Sequence, residues 1–237
     1  MNFYESLKKA DEWVKSNCWL AVFDILGFSN LIAVDQDDLK AFSVRVDYEE
    51  TIKYLERSCN EYQLGSLQYS WFSDTFLMYT LDDSARSYTI IQSAAKHFIE
   101  KCIYSRIPIR GAITVGPLWR TKDNRSFIGN AFLEAFKYAE DQDWIGLLIT
   151  PNAIKKAKSD GLCPTHHDFV QSDDIPMRNF TDQNILAYRF QNGAANYSSP
   201  LLPKLCEMKL HSEEKYHNKY ESTMQFIEKN YSYLYLE

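Results

Sequence analysis

The sequence predicts an α+β fold, a mostly antiparallel sheet flanked by helices, with a C-terminal extension. Three observations carry this. The run from Trp19 to Leu26 is aliphatic and aromatic on both faces, as expected of a central strand. Ser66 to Trp71 and Thr75 to Thr80 are two β-rich runs joined at Phe72-Ser73-Asp74, a hairpin signal whose tip presents Asp74. Tyr88, Ile91, Ala95, Phe98 and Cys102 step by 3, 4, 3 and 4, the stripe of an amphipathic helix.

The remaining elements follow in order. Residues 3–16 are polar with Phe3, Leu7 and Val14 interspersed, and read as a lead-in helix before a strand from Cys18 to Leu26. Phe28 to Val34 begins a short helix. Asp37-Asp38 can start another, with Leu39, Phe42, Val46, Ile52 and Leu55 near helical spacing although Glu49 interrupts them. Gly65 opens a turn before the hairpin. Ile107, Ile109, Gly111, Ile113 and Val115 alternate as a strand that Gly116-Pro117 is expected to turn. Leu118 to Ile128 then returns as a β-arm with a polar tip at Arg120 to Ser126. Gly129 precedes a helix from Asn130 to about Asp141, with Phe132, Phe136 and Ala139 along one side. Trp144 to Thr150 reads as a buried strand, and Pro151 suits the first turn of a helix to Lys158. Phe169-Val170 and Ile185 to Phe190 form a late strand pair, Asn192 to Pro203 a loop, and Lys204 to Glu228 a solvated helix. Residues 1–160 are read as one unit and 161–237 as an extension packed on it. The order β-α-α-β-β-α-β-β-α-β-α suits a ferredoxin-like sheet.

Composition bounds the function. The 237 residues are 45% hydrophobic and 24% charged, enough for a sizeable core. The net charge of −6 disfavours nucleic-acid and anionic-membrane binding, so a phosphate substrate needs local cations or a metal. Met1 to Lys15 has no apolar signal-peptide core, and no stretch is long enough to span a bilayer, so a cytoplasmic protein without membrane insertion is expected. The five cysteines are widely spaced with no CxxC pair and are read as reduced thiols. His166-His167 is read as a loop.

The chemistry centres on Asp24. It lies near the end of the first strand, on the face of Leu20, Val22 and Leu26, where a carboxylate is costly to bury without a metal or hydrogen bonds. Gly27 then breaks the strand and offers unobstructed backbone N–H groups, which suits a cation held beside phosphates. The turn amides alone could also satisfy Asp24. In a ferredoxin-like sheet a strand end and a neighbouring hairpin tip lie side by side, so Asp24 and Asp74 could share two divalent ions. Arg110 starts another core strand, where its planar fork can grip phosphate oxygens or serve only as a surface charge.

These residues form a pattern. Phe23-Asp24-Ile25-Leu26-Gly27-Phe28-Ser29 resembles the opening motif of the class III nucleotidyl cyclases, the adenylate and guanylate cyclase catalytic domains. Phe72-Ser73-Asp74 falls where that family has its second metal aspartate. Arg110-Gly111-Ala112-Ile113-Thr114-Val115-Gly116-Pro117 is similar to its Arg-hydrophobic-Gly-Ile-His-Thr-Gly strand, and Phe127-Ile128-Gly129 to the arm entering its last active-site helix. The likeness covers about residues 18–155. It implies that Asp24 and Asp74 bind two Mn²⁺ or Mg²⁺ ions with the Ile25 carbonyl as a further ligand. It also implies that the amides around Gly27, Phe28 and Ser29 hold the β- and γ-phosphates, that Arg110 contacts the triphosphate, and that the active sites sit at a homodimer interface. The purine-reading lysine or acid is replaced by Ser70. The asparagine and arginine of the last helix map to Leu133 and Lys137, the lysine offering a point charge for the transition state.

The altered hairpin, the Ala-Phe-Leu-Glu-Ala-Phe helix and the segment from Lys219-Tyr220-Glu221-Ser222-Thr223 to Phe226-Ile227 resemble a narrower group, the pyrimidine cyclases of bacterial Pycsar anti-phage defence. That resemblance implies conversion of UTP or CTP to cyclic UMP or cyclic CMP, and a separate effector protein that senses the product. Tyr48, Tyr62 and Tyr69 could close a smaller base pocket or serve packing. Two other readings stand beside this one. One is a degenerate cyclase-like dimerisation module; the other is a different two-metal enzyme on a ferredoxin-like sheet.

Overall fold

The computed structural model describes residues 13–28, 46, 49–50, 53, 57, 67–165, 168–179, 184–190 and 201–231. Its strands are β1 (Trp13–Ile25), β2 (Gln68–Phe72), β3 (Thr75–Tyr79), β4 (Ile109–Thr121), β5 (Phe127–Ile128), β6 (Leu147–Ile149), β7 (Phe169–Val170) and β8 (Leu186–Tyr188). Its helices are α1 (Ala85–Tyr104), α2 (Asn130–Glu140), α3 (Pro151–Ser159), α4 (Leu201–Leu210) and α5 (His217–Tyr231), with a 3₁₀ turn at Glu214–Tyr216. The strands form one sheet in the order β2-β3-β1-β4-β6-β8-β7, with β5 paired to β4. The β4–β6 pair is parallel and the others are antiparallel. The predicted α+β class, a sheet flanked by helices, is therefore what the chain adopts.

β1 is central, and the alternation of its side chains divides the core in two. Trp19, Ala21, Phe23 and Ile25 join Phe76 and Met78 beneath Ile91, Ala95 and Phe98 of α1. Leu20 and Val22 join Leu77, Tyr79 and Leu118 beneath Ala131 and Ala135 of α2, whose small side chains let the helix lie close to β1 and β4. Asp24 continues the second face. Leu26 does not share it, because the chain turns after Ile25 and Leu26 joins the first cluster. Gly111 explains the glycine of the arginine motif: a Cβ there would come within 2.4 Å of the Phe23 ring.

Several sequence expectations change. Residues 13–16 are strand and not lead-in helix, since Trp13 to Ser16 pair with Thr121 to Leu118 of β4. β4 does not turn at Gly116-Pro117 but runs on to Thr121. The N–H of Gly111 points to β6, bonding Gly146, and by the two-residue period so does position 117. β6 pairs only with residues 111–113, so the N–H that proline lacks is not needed there.

Lys204 to Glu228 is also not one solvated helix. It is α4 and α5 with a break between, and Leu205, Met208, Tyr220, Thr223, Phe226 and Ile227 are buried. Leu201 to Pro203, read as loop, begin α4. The expected helices across 28–55 fall largely on residues outside those described. No described helix is long and apolar enough to cross a membrane.

Candidate active site

The site forms where β1, β3 and β4 end together. Asp24 stands opposite Thr75 on one side and Arg110 on the other. Directly opposed residues share a face, so the Arg110 and Asp24 side chains meet. Arg110 donates from Nε and Nη2 to the same oxygen, Asp24 Oδ2, at 2.9 and 2.8 Å. Its Nη1 donates to the carbonyls of Glu140 and Gln142 at 2.5 and 2.7 Å. The arginine is 6% exposed, so it is a buried connector between β1 and the end of α2 and not a surface charge.

The hairpin between β2 and β3 turns on two residues, Ser73 and Asp74, with the left-handed backbone of a primed turn at Ser73 (φ 55°). The Asp74 carbonyl accepts the Ile25 N–H at 3.1 Å, which ties the hairpin tip to the end of β1. Burial raises the Asp24 pKa above the usual carboxylate range, Arg110 opposes this, and the charges of Asp74 and Glu140 add to the rise. Two acids thus lie close enough to repel, an arrangement that a cation relieves. Arg110 takes only one oxygen of Asp24, and the two carboxylates are hard oxygen donors suited to Mg²⁺ or Mn²⁺. Among the described residues no group of three or more His, Cys, Asp or Glu side chains gathers as a metal cage, so further ligands would come from backbone, water or substrate.

Ile25 closes β1 with its side chain in the core. Gly27 follows with φ +73°, a conformation that disfavours any larger residue. Phe28 packs its ring against the main core. Ser29 lies outside the described residues. Leu133 is 63% exposed on α2, and Lys137 stands one turn later on the same exposed side of the helix.

Ser70 shares the sheet face of Asp24, two rows away, and its hydroxyl reaches the Asn124 carbonyl at the tip of the β4–β5 arm at 3.4 Å. Asn124 Oδ1 also accepts from the Tyr79 hydroxyl at 2.8 Å and from Arg120 at 3.1 Å. Tyr69 faces the other side of the sheet and stacks on Phe76 (centroids 6.1 Å apart), so it packs and does not line this face. Tyr48 and Tyr62 lie outside the described residues.

Sequence reasoning missed what the C-terminal segment contributes. A Cβ on Gly27 would come within 3.1 Å of the Tyr216 ring. Lys219 of α5, 8% exposed, donates to Asp143 Oδ1 at 2.5 Å, and Arg178 approaches the same oxygen at 3.5 Å. Asp143 directly follows the Gln142 carbonyl that Arg110 uses, so α5 braces the corner holding Arg110. The Lys219 hydrogen bond draws the Asp143 pKa down, while burial pushes Lys219 down more than Asp143 raises it. The Thr223 hydroxyl, four residues on, accepts the Ile145 N–H at 2.8 Å. The Tyr220, Thr223, Phe226 and Ile227 spacing could have revealed this buried face; nothing local announces Tyr216.

No protein-family model and no curated protein matches the chain. Solved structures do. A double mutant of the guanylyl cyclase domain of the RhoGC fusion protein from the aquatic fungus Blastocladiella emersonii superposes with a TM-score of 0.53 at 14% identity, covering 75% of this chain and 96% of that one. A non-canonical dimeric form of the same domain gives 0.51 at 14% identity, covering 75% and 95%. The guanylyl cyclase Cya2 gives 0.50 at 8% identity, covering 78% and 98%. The fold is that of the class III nucleotidyl cyclase domains. At such identities the likeness is one of fold, and the activity must be argued from the site.

Proposed function

We propose that this chain is a nucleotide cyclase acting on a pyrimidine nucleoside triphosphate, UTP or CTP. The carrying observation is the convergence of Asp24, Asp74 and Arg110 at one end of three adjacent strands on a class III fold. In this reading Asp24, Asp74 and the Ile25 carbonyl hold two divalent cations, Mn²⁺ or Mg²⁺. When bound, these would make the ribose 3′-hydroxyl more acidic and neutralise the triphosphate. The amides around Gly27, Phe28 and Ser29 hold the β- and γ-phosphates, and Arg110 reaches the triphosphate by exchanging Asp24 for phosphate oxygens. The 3′-oxygen attacks the α-phosphorus as the bond to the β-phosphate breaks, and pyrophosphate leaves. The chain contributes positioning and charge.

A homodimer places Lys137 of one protomer over the site of the other. Exposed Trp119, Ile128 and Leu133 on the arm and α2 supply an apolar surface for that interface. The small Ser70 hydroxyl, at the position where purine cyclases carry a base-reading lysine or acid, supports a pyrimidine. The Pycsar likeness of the sequence supports a cytoplasmic signalling role in anti-phage defence with a separate effector protein. Residues 1–160 then form the catalytic unit, braced by 161–237.

A second reading, a cyclase-like module without turnover, is favoured by one observation: Arg110 commits four of its five N–H groups to Asp24, Glu140 and Gln142 within the protein. One experiment separates them. The purified protein is incubated with Mn²⁺ and each of ATP, GTP, CTP and UTP, and products are read by mass spectrometry. A 3′,5′-cyclic pyrimidine monophosphate is expected. A cyclic purine product overturns the base assignment, and no cyclic product from any of the four favours the module.

A further inference from the structure

The chain is acidic overall, so the highly charged end of a nucleoside triphosphate needs local cations. The segment between α4 and α5 brings one such cation, Lys215, near the glycine turn, with Glu213 and Glu214 preceding it in the chain. Tyr216 lies against Gly27, its Cε2 and Cζ 3.1 Å and its hydroxyl oxygen 3.3 Å from where a Gly27 Cβ would stand. Lys215 holds its ammonium 5.0 Å from the centre of the Tyr216 ring. Its carboxylate partner is Glu213 at 3.0 Å, in a pair more than half exposed on both sides, weak enough for a phosphate dianion to displace. Hydrogen bonding to Glu213 holds the lysine above its usual range, desolvation opposes this, and the Glu213 charge and then Tyr216 add to the rise. Lys219 follows four residues later in α5, buried and paired with Asp143, and lies near enough to Arg110 and Arg178 to feel both charges.

Resting on the cyclase reading above, we infer that Tyr216 and Lys215 form the outer wall of the terminal-phosphate site, binding the γ-phosphate of the nucleoside triphosphate held by the Gly27 turn. Tyr216 contributes its hydroxyl and a ring that covers the turn, and Lys215 contributes charge. No motif of the catalytic half includes either residue. The C-terminal segment becomes part of the substrate site and not only a brace.

The test uses the full chain with Mn²⁺ and inorganic tripolyphosphate, measured by calorimetry, for wild type, Lys215→Ala and Tyr216→Phe. Tyr216→Phe keeps the ring on Gly27, so its fold is preserved. Lys229→Ala, which removes an exposed lysine paired with Asp174, controls for net charge. Lys215→Ala is expected to weaken tripolyphosphate about tenfold and Tyr216→Phe by less, on the scale of one charge-assisted and one neutral hydrogen bond. UMP and CMP binding should be unchanged, and KM for the triphosphate should rise more than kcat falls. Equal tripolyphosphate affinity in wild type and both variants, or no binding by wild type, overturns the inference. Cyclic product with unchanged KM in both variants overturns this phosphate wall and leaves the cyclase reading standing. Tripolyphosphate binding that the variants lose, without cyclic product from any of the four triphosphates, keeps the wall and overturns the cyclase reading.

Discussion

Arg110 directs two of its N–H groups to a single oxygen of Asp24 and its third nitrogen to the carbonyls of Glu140 and Gln142. One side chain thereby joins the end of β1 to the residues leaving α2. Removing it strands a partly buried carboxylate and two carbonyls. Arg110→Met is expected to cost about 3–5 kcal/mol, the penalty for breaking a buried pair from one side. Urea unfolding measures this; a midpoint equal to wild type would show that the pair does not hold the fold. Asp24→Asn, which removes the charge but keeps an acceptor, should cost less.

Asp74 separates structure from chemistry. The tie between hairpin and strand uses its backbone carbonyl, not its carboxylate. Asp74→Ala should therefore leave the melting temperature close to wild type while abolishing cyclic nucleotide formation. Retained product at wild-type rate, read by mass spectrometry, would remove Asp74 from the proposed metal site.

Leu133 tests the proposed homodimer interface. It is 63% exposed, so a charge there costs the monomer little. Leu133→Glu should shift the protein to monomer in sedimentation and remove activity without lowering thermal stability. A variant that stays dimeric places the interface elsewhere.

Glu100 predicts a pH effect. It accepts the Tyr188 hydroxyl between α1 and β8, with Lys96, His97 and Asp168 near it. Burial, the largest influence, raises its pKa above 4.5; the Tyr188 hydrogen bond, His97 and Lys96 oppose the rise and Asp168 adds to it. The folded protein then binds this proton more tightly than the unfolded chain. Stability from the group falls as pH rises through 4.5 and stays reduced above the folded value. Glu100→Gln keeps an acceptor for Tyr188 without ionising. It should melt higher than wild type at neutral pH, and the gap should close as pH falls below 4.5. A gap that is constant with pH would contradict the burial of the charge.

Much of this was legible in the chain. β1, the hairpin, α1 and α2 announce themselves because each buries one clear stripe or run, and burial periodicity is what sequence displays best. Asp24, Asp74 and Arg110 stood out as polar residues at the ends of apolar strands. The rest was hidden for particular reasons. Pro117 reads as a stop, yet its missing N–H falls on the side of β4 beyond the reach of β6. Trp13 to Ser16 look helical in isolation and become strand because β4 extends beside them. The charged surface of α4 and α5 masked their apolar faces. The contact of Tyr216 with Gly27 joins residues far apart in sequence and follows no period at all.

The position of Trp144 has a consequence for biosynthesis. Its ring packs on Phe226 of α5, with centroids 4.6 Å apart, and on Phe190, with both partners following it in the chain. As the polypeptide leaves the ribosome, β1, β3 and α1 can assemble while this indole still lacks its cover. The half of the sheet around Trp144 remains open until α5 emerges, so a pause or nick within the last helices would release a chain with β1 and β3 formed and its core exposed to aggregation.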